Sequence, residues 1–234
     1  MKSASARRDP LADAVARIAA GGLVAFPTET LWGLGADARS EAAVVRLRAW
    51  KGRGEAQPLS VLVTGVPALE ALGVAVGPLA RSLASAFWPG PLTLVLPCRD
   101  GFATGVARAD GALGLRCSPH PVAASLARSL EAAGIGPITA TSLNETGAAP
   151  ARTRAEAVRA CARGAGGDAP LLFAGDGLDA GGGRASTVVD LTGPAPRVLR
   201  WGAVSHDMLE PLLLASAVRR EPQAGDVDRD GGAR

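Results

Sequence analysis

Tyrosine is absent from this 234-residue chain, and four Phe and four Trp bring its aromatic content to only 3%. So few rings argue against a binder of single-stranded nucleic acid, which relies on stacking as well as charge. The two histidines, His120 and His206, stand apart from any activating neighbour. Helix-start or surface roles suit them better than catalysis. Three cysteines, Cys98, Cys117 and Cys161, are odd in number and widely spaced. Without a CxxC or a Cys/His cluster they support neither a zinc site nor a disulfide framework. Buried thiols in a reducing cytoplasm are the expectation. No apolar run reaches the roughly 18 residues of a membrane span. The opening MKSASARRDP is basic without an apolar core, so it does not read as a secretory signal. Walker A, strand-linked GxGxxG and HExxH motifs are all missing.

Lysine is nearly absent too. Lys2 and Lys51 stand against 23 arginines, from a total of 25 basic residues. A lone internal lysine suggests a place where a compact three-donor ammonium is needed instead of a planar fork. The net charge is +3 and the pI about 9.1. Lys2, Arg7 and Arg8 account for that balance, and residues 218–234 carry four Arg against four acids. The body is therefore neutral, which does not mark a strongly basic nucleic-acid binder. One acid-free local patch remains, Arg46, Arg48, Lys51 and Arg53.

What is present is an ordinary globular composition, 47% hydrophobic and 20% charged. Asp9-Pro10 opens a helix with an N-cap and a first-turn proline, and Gly21-Gly22 closes it. Leu23–Phe26 reads as a short buried strand, followed by a polar, glycine-punctuated turn over Pro27–Gly35. Ser40 caps a helix to about Trp50. Further strands are expected at Leu59–Val63, Leu92–Leu96, Ala112–Arg116, Ile138–Thr141, Leu171–Ala174, Ser186–Leu191 and Arg197–Arg200. Helices are expected at Pro67–Leu72, Pro78–Phe87, Pro121–Ala133, after the capping box Thr153-Arg154-Ala155-Glu156, and from Ser205 to about Val218. This interspersed order implies one α/β domain, a twisted, open, mixed sheet flanked by helices. It spans residues 9–217, between a flexible basic arm (1–8) and a disordered tail (218–234).

Polar residues gather at the predicted strand ends: Thr28, Glu29 and Thr30; Lys51 and Arg53; Arg116; Ser142 and Asn144; Ser186 and Thr187; Arg200. Ligands of open α/β sheets sit outside strand ends. Several cations and hydroxyls there suit a polyanion together with a small carboxylate. Taken singly, each residue reads equally well as a turn, a cap or a solvated helix end.

Taken in order, Pro27-Thr28-Glu29-Thr30-Leu31-Trp32-Gly33-Leu34-Gly35, Lys51-x-Arg53 with Pro58-Leu59, Pro89-Gly90-Pro91-Leu92-Thr93, Ser142-x-Asn144, Ser186-Thr187-Val188 and Arg200-x-Gly202 resemble the TsaC/YrdC family. The resemblance covers about residues 10 to 205 and implies the YrdC-like fold. It implies formation of L-threonylcarbamoyl-adenylate and pyrophosphate from L-threonine, bicarbonate or CO2, and ATP, a nucleotidyl transfer. A partner transferase complex then modifies the adenosine beside the anticodon of tRNA. Carried over by motif, Lys51 and Arg53 are the catalytic pair. Lys51, Arg53, Gln57, Ser142, Asn144 and Arg200 bind ATP, and Thr30, Arg116, Ala140 and Ser186 bind threonine. Mg²⁺ accompanies ATP as counter-ion, with no dedicated protein cage. A cytoplasmic enzyme without membrane contact is implied.

The chain departs from the family pattern at Trp32, where Tyr is usual, and at Leu143, Thr146, Gln57 and Leu62. These departures leave open a paralogue of the same fold that binds RNA or hydrolyses threonylcarbamoyl-AMP. A non-enzymatic RNA-binding module using the Arg46–Arg53 patch is a third reading.

Overall fold

The computed structural model describes residues 9–52, 54, 57–99, 101–163, 169–175 and 178–218. The expected arm at 1–8, Arg53, and the tail from 219 onward lie outside the described residues. Helix α1 (Pro10–Ala19) starts where Asp9 accepts the amide of Leu11 at 3.0 Å, and it buries Ala14 and Ile18. Strands β1 (Val24–Pro27) and β2 (Trp32–Gly35) form an antiparallel hairpin. The expected nine-residue turn is therefore only Thr28–Leu31, and its second half is strand. Gly33 and Gly35 read as turn punctuation in the sequence, yet they are packing residues. An added Cβ would lie 3.1 Å from the Phe26 ring at Gly33 and 2.9 Å at Gly35. Glycine within a strand marks such a close approach as readily as a turn.

Helix α2 (Glu41–Lys51) is capped by Ser40, which accepts the amide of Ala43 at 3.3 Å, and Gly52 closes it at φ +58°. Strand β3 (Ser60–Leu62), helices α3 (Val66–Ala71) and α4 (Pro78–Phe87), and strands β4 (Leu92–Pro97) and β5 (Ala112–Arg116) follow. Helix α5 (Pro121–Ala132) precedes β6 (Ile138–Thr139) and β7 (Thr141–Ser142). Helix α6 (Arg154–Cys161) carries the predicted capping box between Thr153 and Glu156. Strands β8 (Leu171–Leu172), β9 (Thr187–Asp190) and β10 (Arg197–Arg200) lead to helix α7 (His206–Val218).

The mixed α/β architecture is as expected, but its strands divide between two open sheets. The larger has the order β10-β9-β4-β5-β3-β6 and the smaller β7-β2-β1-β8. Both mix parallel and antiparallel neighbours. The segment read as one strand over Ile138–Thr141 is where they join. Ile138–Thr139 pairs with β3, Thr141–Ser142 pairs with β2, and Ala140 turns between them, its amide on the Ser60 carbonyl at 2.7 Å. No local pattern distinguishes one strand from two that change partner midway. A main core around Trp32, Leu34, Leu47, Val61, Leu92 and Leu94 lies on one side of β1. A second, with Ile18, Phe26, Leu126 and Ile138, lies under α1 and α5. Among the described residues no helix is long and apolar enough to cross a membrane.

Candidate active site

Where the two sheets adjoin, a cavity of about 370 Å³ opens. The small sheet and its hairpin turn contribute Thr28, Thr30, Trp32 and Ser142. The large sheet contributes Thr93, Arg116, Val188 and Arg200, with Ala140 between the two and Ser186 just ahead of β9. Two guanidiniums and a set of hydroxyls face the space, and no carboxylate lines it among the described residues.

Arg116, the last residue of β5, donates through Nη2 to Glu29 Oε1 at 2.8 Å, to Thr28 Oγ1 at 3.3 Å and, at close range, to Thr30 Oγ1. Thr28 Oγ1 in turn donates to the Leu31 carbonyl at 2.7 Å. The 2.9 Å contact between the two hydroxyls therefore has Thr30 as donor. Glu29 Oε2 accepts the Ser118 hydroxyl. Arg116 is thus held on one side by an ion pair in which both side chains are largely buried, 11% and 16% exposed. Its Nε is buried with no partner among the described residues.

Arg200, at the end of β10, lies across the cavity. It donates from Nε and Nη2 to the Ser186 carbonyl at 3.1 and 2.9 Å, and from Nη2 to Ser186 Oγ at 3.1 Å. Ser186 Oγ also meets Thr93 Oγ1 at 2.8 Å. Partial burial, and then the Arg116 guanidinium, pull Arg200 below the usual guanidinium value. Two cations sharing one hollow is an arrangement that anions relieve.

Behind Ser142, Lys51 is 3% exposed although it ends a surface helix. Its Nζ donates to the carbonyls of Ser142 at 2.5 Å and Asn144 at 2.7 Å, with Asn144 Oδ1 at 3.4 Å. Asn144 Oδ1 accepts the Ser142 hydroxyl at 2.5 Å, and its amide nitrogen spans to the carbonyls of Glu145 and Ala148, both at 2.8 Å. Lys51 also anchors the same turn through its own carbonyl, which accepts the Thr146 amide at 2.8 Å. The internal lysine therefore organises the backbone that presents Ser142.

Of the residues singled out in sequence, Thr30, Arg116, Ala140, Ser142, Ser186 and Arg200 line the cavity together. Lys51 and Asn144 stand behind its wall. Gln57 is exposed, and its carbonyl accepts Arg48 Nη2 at 3.1 Å; Pro58 beside it reaches the cavity. Arg53 is outside the described residues. Leu62 lines a separate apolar hollow of about 190 Å³ between β3 and α5. The acid-free patch is not a free surface. Arg48 is 6% exposed and bound to the carbonyls of Gly54 and Gly105, both at 2.6 Å, while Arg46 is bound to the Gly21 carbonyl. His120 accepts the Val122 amide at 3.3 Å and caps α5, the helix-start role expected of it. Thr93 joins them in the cavity, and its only mark in the sequence is a lone hydroxyl inside the apolar run Leu92–Leu96.

A model of the Sua5/YciO/YrdC family, described as telomere recombination, matches residues 16–202. The chain belongs to this family. Within it, a relative from Mycobacterium tuberculosis is 39% identical over 206 residues, 87% of this chain and 88% of its own. A threonylcarbamoyl-AMP synthase of Chromohalobacter salexigens is 38% identical over 184 residues, 78% of this chain and 93% of that one. The crystal structure of P. abyssi Sua5 complexed with L-threonine superposes with a TM-score of 0.77 at 32% identity. It matches 88% of this chain, which spans 58% of that longer protein. The YrdC-like fold expected from the motifs is the fold observed.

Proposed function

We propose that this chain is an L-threonylcarbamoyladenylate synthase. The carrying observation is the cavity, lined by no carboxylate among the described residues, in which Arg116 and Arg200 converge with the hydroxyls of Thr30, Ser142 and Ser186. Such a site is built for two anions at once, an amino-acid carboxylate and a polyphosphate. P. abyssi Sua5 complexed with L-threonine among the structural relatives, and threonylcarbamoyl-AMP synthases named among the sequence relatives, support the same reading. The paralogue and RNA-module readings gain no such support, and the Arg46–Arg48 side chains that the latter needs are spent on backbone carbonyls.

In this reading the α-amine of L-threonine adds to CO2 derived from bicarbonate, giving a carbamate and releasing a proton. A carbamate oxygen then attacks the α-phosphorus of ATP, and the bond to pyrophosphate breaks. No covalent enzyme intermediate is required, so the protein's work is positioning and charge neutralisation. Arg116, with Thr30, Ala140 and Ser186 around it, takes the threonine. Ser142 and Arg200 face the triphosphate, with Lys51, Asn144, Gln57 and Arg53 as the family's further nucleotide residues. ATP arrives as its magnesium salt, so Mg²⁺ belongs to the substrate. The product passes to a transferase complex acting on tRNA in the cytoplasm.

Incubation with L-threonine, bicarbonate and MgATP tests this. Pyrophosphate release dependent on both threonine and bicarbonate, with threonylcarbamoyl-AMP detected by mass spectrometry, is the expected result. Soluble, folded protein that releases no pyrophosphate under these conditions would refute the assignment.

A further inference from the structure

Trp32 is fully buried and lines the cavity, so its indole N–H needs an acceptor inside the protein. Asp179, which does not line the cavity, supplies it: Nε1 donates to Oδ1 at 2.7 Å. The same carboxylate accepts the amides of Arg154, the first residue of α6, at 3.0 Å and of Ala180 at 2.8 Å. The Asp179 carbonyl meets Nε2 of His120, the cap of α5, at 3.1 Å. One residue between β8 and β9 thus ties the cavity wall to the starts of two helices.

The chain then runs from Asp179 along the hairpin turn that bears the hydroxyls. The Gly181 amide donates to the Thr28 carbonyl and the Gly183 amide to the Thr30 carbonyl, both at 3.0 Å. A Cβ at Gly181 would stand 2.9 Å from the Glu29 carbonyl oxygen, and one at Gly182 3.0 Å from it. This absorbs the glycine run into the site. Only a bare backbone lies this close on Thr28–Thr30, and it delivers Ala185 and Ser186 to the cavity. Burial opposes the charge on Asp179, but the Arg154 amide, the Trp32 indole and the Ala180 amide outweigh it and hold the carboxyl below its usual value.

We propose that Asp179 is a positioning residue for the amino-acid half of the cavity. By pinning the edge of Trp32 it sets the wall beside Thr30 and Arg116 and the register of the strap that ends at Ser186. This rests on the synthase reading above. The nucleotide side is joined to Trp32 by main-chain bonds, its amide to the Ala151 carbonyl at 3.1 Å and its carbonyl to the Leu143 amide at 2.8 Å, and these survive loss of the side-chain contact.

The test is pyrophosphate release with threonine and ATP varied separately, for the wild type, Asp179→Ala, Trp32→Phe and the double variant. Each single variant is expected to raise the threonine KM about tenfold, with kcat and the ATP KM within about twofold. Because both remove the bond between Trp32 and Asp179, the double variant should be no worse than the worse single one. A merely structural role would lower thermal stability without splitting the two KM values. If Asp179→Ala does not fold, Trp32→Phe probes the same bond from the other side. An unchanged threonine KM, equal rises in both KM values, or effects that multiply in the double variant would overturn the inference alone. A wild type that makes no adenylate would overturn it together with the functional reading.

Discussion

Lys51 shows what a single side chain does here that its surroundings would not suggest. A helix-end lysine is ordinarily solvated and stabilised by the dipole. This one is buried, and its ammonium gathers the carbonyls of Ser142 and Asn144. Three donors around one nitrogen suit converging carbonyls better than a planar fork. Lys51→Ala is expected to lower the rate of pyrophosphate release by at least about 100-fold, and Lys51→Arg to restore little of it. Near-normal turnover by Lys51→Ala would remove the residue from the mechanism. Arg116 makes the opposite case: its planar fork fixes Nη2 on Glu29, Thr28 and Thr30 while the guanidinium lines the cavity. Arg116→Lys should raise the threonine KM by about 10–100-fold while leaving the ATP KM nearly unchanged, read from the same assay. Both residues stood out in the sequence, Lys51 by rarity and Arg116 as a charge ending an apolar strand. Their partners stood out as polar strand-end residues as well, but the pairing did not, because Glu29 and Arg116 are 87 residues apart and only the fold brings them together.

Among the elements, the end of β10 and the start of β9 are joined closely enough to be tested by a methyl group. A Cβ at Gly202 would lie 2.2 Å from the Ala185 carbonyl oxygen and 2.5 Å from the Ser186 carbonyl carbon. Gly202→Ala must push Ser186 and Arg200 apart, so it should cost about 2–4 kcal/mol of stability in urea unfolding and most of the activity. At the other end of β9, Asp190 is 2% exposed and binds Arg108 at 2.7 Å, Arg197 at 3.3 Å and the Thr192 hydroxyl at 2.6 Å. Burial pushes the pKa of this carboxyl up, but the hydrogen bonds from Thr192, Arg108 and Arg197 outweigh burial and hold it well below the usual carboxylate range. A carboxylate with a depressed folded value adds stability above its unfolded value near 4 and loses it as pH falls toward the folded one. Unfolding free energy should therefore decline below about pH 4, and Asp190→Asn should flatten that decline while costing about 2–4 kcal/mol at pH 7. An unchanged acid slope in the variant would assign the decline to other groups. The helices were largely legible, because Asp9, Ser40 and the Thr153–Glu156 box act on amides two or three residues away. The strand pairings were not, since β6 and β7 read as one run and only their partners part them.

At the scale of the whole molecule, the thiols report on folding. Cys161 is buried, which pushes its thiol up to about 11, and burial likewise raises Cys117, with Glu29 adding to the effect. Cys98 is only partly buried. At pH 8 a thiol reagent should label Cys98 first and reach Cys117 and Cys161 only as the protein unfolds; rapid labelling of all three in the native protein would contradict the packing around α6 and β5. What the sequence determined by itself was whatever depends on neighbours along the chain: the caps, the alternation of helix and strand, and the motif residues whose order resembles one family. Which of these meet is settled by the fold. The division into two sheets, the placing of their seam at Ala140, and the passage of the glycine strap over Thr28–Thr30 all rest on contacts between residues tens to more than a hundred positions apart. Such contacts are selected by burying apolar surface and satisfying backbone groups throughout the fold, so no local stretch encodes them.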